Sequence, residues 1–310
     1  IIHCKCFYKN IIHILYKVII QKGQIMKTGI VFEGGAFRTI FSCGVMDALV
    51  ENDIMPDYMI GVSAGAAYGV SMASKQPRRN LDVLMKYRND KRYLGLSNMI
   101  DKDNKSIYGL EFSYETIPNE LNLFDYDAFK QYKGDFYCVV TNLLTGQPEY
   151  MKYTGDDRTN TVLKATCALP MLFPPIIIND VPYMDGGLSD SIPYLKAIED
   201  GCDRIIVVLT RQSGYTKTTS RSTKAIAYSY RNQYPKLTET MLTRASRYNE
   251  SLKGLDQYVK EGRIITIQPT TSKGFSRLEK DKNKILSMYN DGYNQCYELL
   301  DTIKEFYGIK

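Results

Sequence analysis

From residue 26 onward the chain alternates short apolar runs with amphipathic stretches, the pattern of an α/β sheet covered by helices. A strand at 28–32 (Thr-Gly-Ile-Val-Phe) runs into Glu33-Gly34-Gly35-Ala36-Phe37-Arg38. A helix follows, with Val45, Ala48 and Leu49 on one side. Tyr58-Met59-Ile60 reads as a short strand leading into Gly61-Val62-Ser63-Ala64-Gly65, and Ala66 to Ala73 suits a buried helix of small residues. The stretch 75–130 is polar, rich in tyrosine and charge, and reads as helices and loop draped over the sheet. Asp135 to Thr141 has the composition of a central strand, with Gln147 to Tyr153 pairing back across a Thr145-Gly146 turn. A helix is predicted over 161–167, stopping before Pro170. A hairpin follows over 176–184 with Asn179-Asp180 at its turn, and it delivers the chain to Asp185-Gly186-Gly187. Arg204 to Leu209 is a further buried strand.

Past Arg211 the texture changes. Residues 212–223 are rich in Ser, Thr and Lys and read as a mobile loop. Residues 224–310 are mostly amphipathic helix with one strand at 264–268. The expected division is therefore a domain over 26–211 with a helical extension, 212–310, packed on it. Residues 1–25 read differently. They do not begin with methionine, and their apolar run at 11–20 is broken by His13, Tyr16 and Lys17. That run is too short to span a bilayer, and no small-residue cleavage site follows. We read 1–25 as upstream sequence translated ahead of Met26, in preference to a membrane-surface anchor or a signal peptide.

Composition sharpens this picture in three places. The formal charge of +6 falls to +2 once the four lysines of 1–25 are set aside, too mild for nucleic-acid binding. The seven cysteines (4, 6, 43, 138, 167, 202 and 296) include no C-x-x-C pair. Thiols scattered in this way fit a reducing compartment and a cytoplasmic protein, and neither a disulfide framework nor a zinc site. The two histidines, His3 and His13, both precede Met26. A Ser-His-Asp triad and His-containing metal motifs are thus excluded from the folded body, and no metal or cofactor is expected.

Three elements carry candidate chemistry. G-x-S-x-G at 61–65, between a strand and a helix, has the form of a nucleophile elbow that lifts Ser63 out of the sheet. An ordinary Gly-rich turn gives the same five letters. Gly34-Gly35, also between a strand and a helix, can aim backbone N–H groups at a developing oxyanion or at a phosphate. It matches neither G-x-G-x-x-G nor a P-loop. Asp185-Gly186-Gly187 follows Ser63 by 122 residues. Alone it is a common turn. A serine needs a base, however, and without histidine only a carboxylate, a lysine or a tyrosine remains. Lys75, Arg78, Arg79, Lys86, Arg88, Lys91 and Arg92 form a basic stretch that reads as a solvated helix face, or as a contact for anionic lipid.

Taken in order, the three elements resemble the patatin-like phospholipase family, whose pattern is a Gly-rich loop ending in a basic residue, then G-x-S-x-G, then D-G-[GA]. The likeness covers nearly all of 26–310 and includes the surroundings of Ala168-Leu169-Pro170, Phe173-Pro174-Pro175 and Ile192-Pro193. The C-terminal half resembles an extension found in a bacterial branch of the family. Two positions depart from the pattern: Ala36 stands where the third glycine is usual, and Thr39 where a glycine follows the basic residue. A need for positive φ at either would cost about 1 kcal/mol or more.

The resemblance implies a three-layer fold with a central, mostly parallel sheet flanked by helices. It implies a serine acyl hydrolase of phospholipase A or lysophospholipase type. In it Ser63 is the nucleophile, Asp185 the base, and Gly34, Gly35 and Ala36 the oxyanion hole. Arg38, Gly61, Gly65, Gly186 and Gly187 are supporting residues. The expected partner is a lipid or a membrane surface, with the protein cytoplasmic or peripheral at that surface. An acyltransferase on the same dyad and a non-catalytic lipid-binding protein are the alternatives.

Overall fold

The computed structural model describes residues 26–102 and 104–309. The reading of 1–25 lies outside the described residues. Among the described residues, eight strands form one sheet: β1 (Thr28–Phe32), β2 (Tyr58–Val62), β3 (Asp135–Asn142), β4 (Pro148–Lys152), β5 (Ile176–Ile178), β6 (Val181–Asp185), β7 (Arg204–Val208) and β8 (Ile264–Ile267). The order is β5-β6-β3-β2-β1-β7-β8, with β4 also paired to β3. The run β3-β2-β1-β7-β8 is parallel, whereas β4, β5 and β6 pair antiparallel.

The parallel strands are apolar on both faces because both faces are covered. Successive side chains point to opposite sides. Ile30 and Phe32 therefore enter one core with Met59, Phe136 and Ile206. Val31 enters the other with Tyr58, Ile60, Val139 and Val207. On the first face lie α1 (Ile40–Glu51), α2 (Ala64–Ala73), α3 (Arg79–Tyr87), α4 (Tyr126–Gln131) and α5 (Thr161–Cys167). On the second lie α6 (Tyr194–Glu199) and the 26-residue α8 (Pro235–Lys260), which follows α7 (Arg221–Ser229). The first helix is buried all round because α9 (Lys282–Glu298) crosses it from outside, ahead of α10 (Leu300–Tyr307). The Tyr289 hydroxyl of α9 donates to Asp47 Oδ2 of α1 at 2.6 Å.

The C-terminal hundred residues thus contribute to all three layers: β8 beside β7 in the sheet, α8 on one face, α9 and α10 on the other. The loop expected to be mobile is anchored. The Lys217 N–H donates to Asn249 Oδ1 on α8, and Asn249 Nδ2 donates back to the Lys217 carbonyl. From residue 221 that loop gives way to α7, capped by the Ser220 hydroxyl. One basic residue of the 75–92 stretch is also not solvated. Arg79 turns inward, its guanidinium donating to the carbonyls of Asn122 and Leu123 and lying over the Phe124 ring.

Two strands set up the site. On one edge, β3 pairs with β2 as far as Val139, opposite Val62, and the same edge then pairs with β6, starting at Val140 opposite Asp185. The opposite edge of β3 is taken by β4, over 137–141. The β2 and β6 strands therefore run toward each other along a common edge, and their ends, Ser63 and Asp185, meet head to head.

Candidate active site

Ser63 follows β2 directly, with φ 54° and ψ −129°, a conformation L-residues rarely adopt. Such a residue costs of order 1–3 kcal/mol and persists only where its surroundings impose it. The imposition is visible. A Cβ on Gly61 would come 2.5 Å from the Ala66 backbone, and one on Gly65 2.5 Å from the Phe32 carbonyl oxygen. Only glycine lets α2 start this close to the sheet. The Ser63 N–H donates to Thr166 Oγ1 at 2.9 Å, and that hydroxyl donates onward to the Val139 carbonyl at 2.5 Å. Thr166 is fully buried on α5, and no sequence pattern singled it out.

The Asp185 carboxyl is 2% exposed. Its Oδ1 accepts from the Gly187 N–H at 2.8 Å, and Ser63 is among the neighbours that act on its charge. Burial raises its pKa, opposed by Arg244, by Ser63, by the Gly187 N–H and by Arg277. The balance is a carboxylate more basic than an ordinary aspartate, the direction a general base for a hydroxyl requires. Cys167 also neighbours Ser63, but burial pushes its thiol up to about 12, which keeps it protonated and a poor nucleophile.

The Gly34-Gly35-Ala36 loop faces the elbow. A Cβ on Gly34 would sit 2.6 Å from the Val62 carbonyl oxygen and 2.8 Å from Ser63 Cβ. Among the described residues, no hydrogen bond occupies the N–H groups of Gly34, Gly35 or Ala36, whereas the next N–H, of Phe37, is taken by the Arg277 carbonyl. Ala36 has φ 51°, so the glycine missing from the family pattern stands at a left-handed position. Thr39, at φ −63°, carries no such strain. Glu33 braces the loop, its Oε2 accepting from the Thr210 N–H at 2.7 Å and the Thr210 hydroxyl at 3.0 Å. Arg38 is 6% exposed and its Nε has no partner. Burial, then the charges of Arg211 and Arg277, bring its pKa down to about 10. Gly186 packs against the Val139 backbone, and the Gly187 carbonyl accepts from Arg244 Nε.

Ser63 stands where two cavities meet. One, about 220 Å³, is lined by Phe37, Val70, Ile117, Leu163 and Leu172 together with buried tyrosine rings. The other, about 50 Å³, is lined by Asp185, Glu33 and five cationic side chains. Among the described residues, no group of three or more His, Cys, Asp or Glu side chains could hold a metal, and no helix is long and apolar enough to cross a membrane.

A mixed sheet covered by helices on both faces, with a serine at a strand–helix turn beside a strand-end aspartate, defines an α/β protein of three layers. The family model for patatin-like phospholipases matches residues 30–198, more than half of the sequence, and the chain belongs to that family. A second model, for a domain of unknown function (DUF6363), matches residues 234–308. The chain is 28% identical over 202 residues to the uncharacterized protein YjjU of Escherichia coli K12, a match spanning 61% of this chain and 53% of YjjU. It is 29% identical over 191 residues to lysophospholipase nte1 of Aspergillus terreus, spanning 58% of this chain and 12% of nte1. The chain thus matches about half of the first relative and an eighth of the second. The crystal structure of VipD from Legionella pneumophila aligns with 90% of this chain and 67% of its own at a TM-score of 0.43 and 15% identity.

Proposed function

We propose that the chain cleaves fatty-acyl esters of lipids through Ser63 and Asp185, as a phospholipase A or lysophospholipase. The observation that carries this reading is the meeting of a strained serine and a buried carboxylate at adjoining strand ends on β3, beside an apolar cavity that Ser63 lines. In this mechanism Ser63 Oγ attacks the ester carbonyl carbon as its proton passes to Asp185. The tetrahedral oxyanion is received by the free N–H groups of Gly34, Gly35 and Ala36, each worth about 3 kcal/mol in the transition state. Collapse of that intermediate breaks the bond to the alcohol, which leaves with the proton held by Asp185. Water, deprotonated by the same carboxylate, then releases the fatty acid and restores Ser63.

Two further observations support a lipid substrate. The cavity that Ser63 lines is apolar and about 220 Å³, a lining suited to an acyl chain. The segment that carries Tyr93 and Tyr108 into that cavity also presents Leu96 and Ile100 at 75% and 87% exposure, an apolar rim suited to peripheral contact with a lipid surface. The likeness to lysophospholipase nte1 supports a substrate with one acyl chain.

The test is labelling by a fluorophosphonate probe together with turnover of a short p-nitrophenyl ester. Wild type should react with both, S63A with neither, and D185N only marginally. Undiminished labelling of S63A would overturn the proposal.

A further inference from the structure

The smaller cavity has a charge imbalance that ester hydrolysis does not call for. Arg38, Arg211, Lys217, Arg244 and Arg277 converge on it against two carboxylates, Glu33 and Asp185. Both carboxylates are engaged: Glu33 by the Thr210 N–H and hydroxyl, Asp185 by the Gly187 N–H. Among the described residues, none of the five cations has an acidic side chain within ion-pair distance. Three come from beyond residue 211: Lys217 from the loop pinned to α8, Arg244 from α8, and Arg277 from the segment ahead of α9. The Arg38 Nε is more than nine-tenths buried and without a partner, though its side chain lines the cavity. Concentrating uncompensated charge in this way is unfavourable unless an anion completes it.

We propose that this cation cluster is a binding site for a phosphate group, completed by the C-terminal extension, and that it takes the phosphate of a lipid head group while the acyl chain occupies the apolar cavity. The lipid part rests on the acyl-hydrolase reading; the phosphate part does not. Guanidinium forks match phosphate oxygens in geometry as well as charge. The void of about 50 Å³ exceeds the ~10–15 Å³ that one water needs, so it holds a small polar group and no second acyl chain. Placement supplies the rest. Ser63 lines both cavities, so an ester held at Ser63 has an apolar space within reach of its acyl chain and a cationic one within reach of the phosphate of an acylglycerophosphate. Mutual repulsion is already legible in the cations: burial, and then the charge of Arg244 with smaller contributions from Arg277 and Arg38, pulls Lys217 down to about 7 against the attraction of Glu33. An anion would relieve it.

The experiment is calorimetric titration of the full chain carrying S63A, which binds without turnover and so reports on the site whether or not Ser63 is a nucleophile. The probes are inorganic phosphate, a short-chain lysophosphatidylglycerol, and the monoacylglycerol with the same acyl chain, all below their micellar concentrations. The lysophospholipid should bind at least tenfold tighter than the monoacylglycerol, and inorganic phosphate should compete with it. K217Q/R277Q, which leaves Asp185 and the S63A background untouched, should erase the tenfold advantage, and K217R/R277K should retain it. Unchanged thermal unfolding of both double variants controls for folding. Phosphate binding with no advantage for the lysophospholipid would keep the phosphate site and assign it to a free anion. Absence of phosphate competition, or a head-group advantage that survives K217Q/R277Q, would overturn the inference.

Discussion

Replacing Thr166 by valine probes the anchor of the elbow with almost no change of shape. The hydroxyl accepts from the Ser63 N–H and donates to the Val139 carbonyl. Valine keeps the volume and removes both bonds. Leaving the Ser63 N–H without a partner costs about 1–3 kcal/mol, and the lost bond to Val139 about 1 kcal/mol, for a total of about 2–4 kcal/mol. Serine at the same position keeps the hydroxyl and loses one buried methyl, about 1 kcal/mol. In denaturant unfolding, T166V should therefore be less stable than T166S by about 1–3 kcal/mol. The active site should lose more than the fold does. The strained φ of Ser63 has no intrinsic preference to hold it once its N–H is released, so the serine should drift from the Gly34-Gly35-Ala36 loop. The kcat of T166V on a p-nitrophenyl ester should fall at least tenfold with KM little changed, while T166S stays within a few-fold of wild type. A T166V protein as stable as T166S to within 0.5 kcal/mol, with the same kcat, would refute the anchoring argument.

Three other outcomes follow from single groups. Ala36→Gly relieves a left-handed alanine, worth roughly 1–2 kcal/mol, against a cost of about 0.4–1 kcal/mol for a more flexible unfolded chain; the net gain of about 0.5–1 kcal/mol should show as a raised denaturation midpoint, and a lowered one would contradict it. Asp185 is raised by burial, so the folded chain holds its proton more tightly than the unfolded chain does, and the stability this group contributes at low pH is lost as pH rises through its folded value. D185N should thus unfold at a higher temperature than wild type at pH 7 while losing about 10²–10⁴ in kcat, and the acid limb of wild-type kcat/KM should lie above the ordinary aspartate value of about 3.9. Burial likewise lifts Asp47 to about 6, so its contribution is complete below pH ~4 and lost as pH rises through 6, a decline of about 3 kcal/mol that D47N should flatten in unfolding curves compared at pH 4 and pH 7.

The elements nearest the site were the most legible in the sequence. Gly61 and Gly65 are spaced as a turn between strand and helix demands, and the hairpin at Asn179-Asp180, both at positive φ, could be read from its two turn residues. Period-two alternation cannot mark strands buried on both faces. Runs such as Arg204–Val208 were found by their β-branched composition instead. Thr166 stayed hidden because one threonine on a short helix looks like any other until β3 places Val139 beneath it. Arg244 and Lys217 stayed hidden for a related reason: on an amphipathic helix and in a Ser/Thr-rich loop, a cation reads as solvated surface. Only the fold, by laying α8 against the end of β6, shows that these charges face inward. Arg79 misled in the same way, because the carbonyls it caps belong to residues more than forty positions away.

The end-to-end meeting of β2 and β6 on β3 acts as a ruler. The gap between the serine and the aspartate is measured in rungs of a third strand, consecutive residues Val139 and Val140, and not in the chain that joins them. Apart from the helical turn bearing Thr166, the connecting segments are free to lengthen, shorten or change composition while the rungs stay in place. A shift of β6 by one rung would instead turn the carboxylate to the opposite face of the sheet. Changes in the loops can therefore reshape what the site receives while the spacing of Ser63 and Asp185 stays as the rungs of β3 set it.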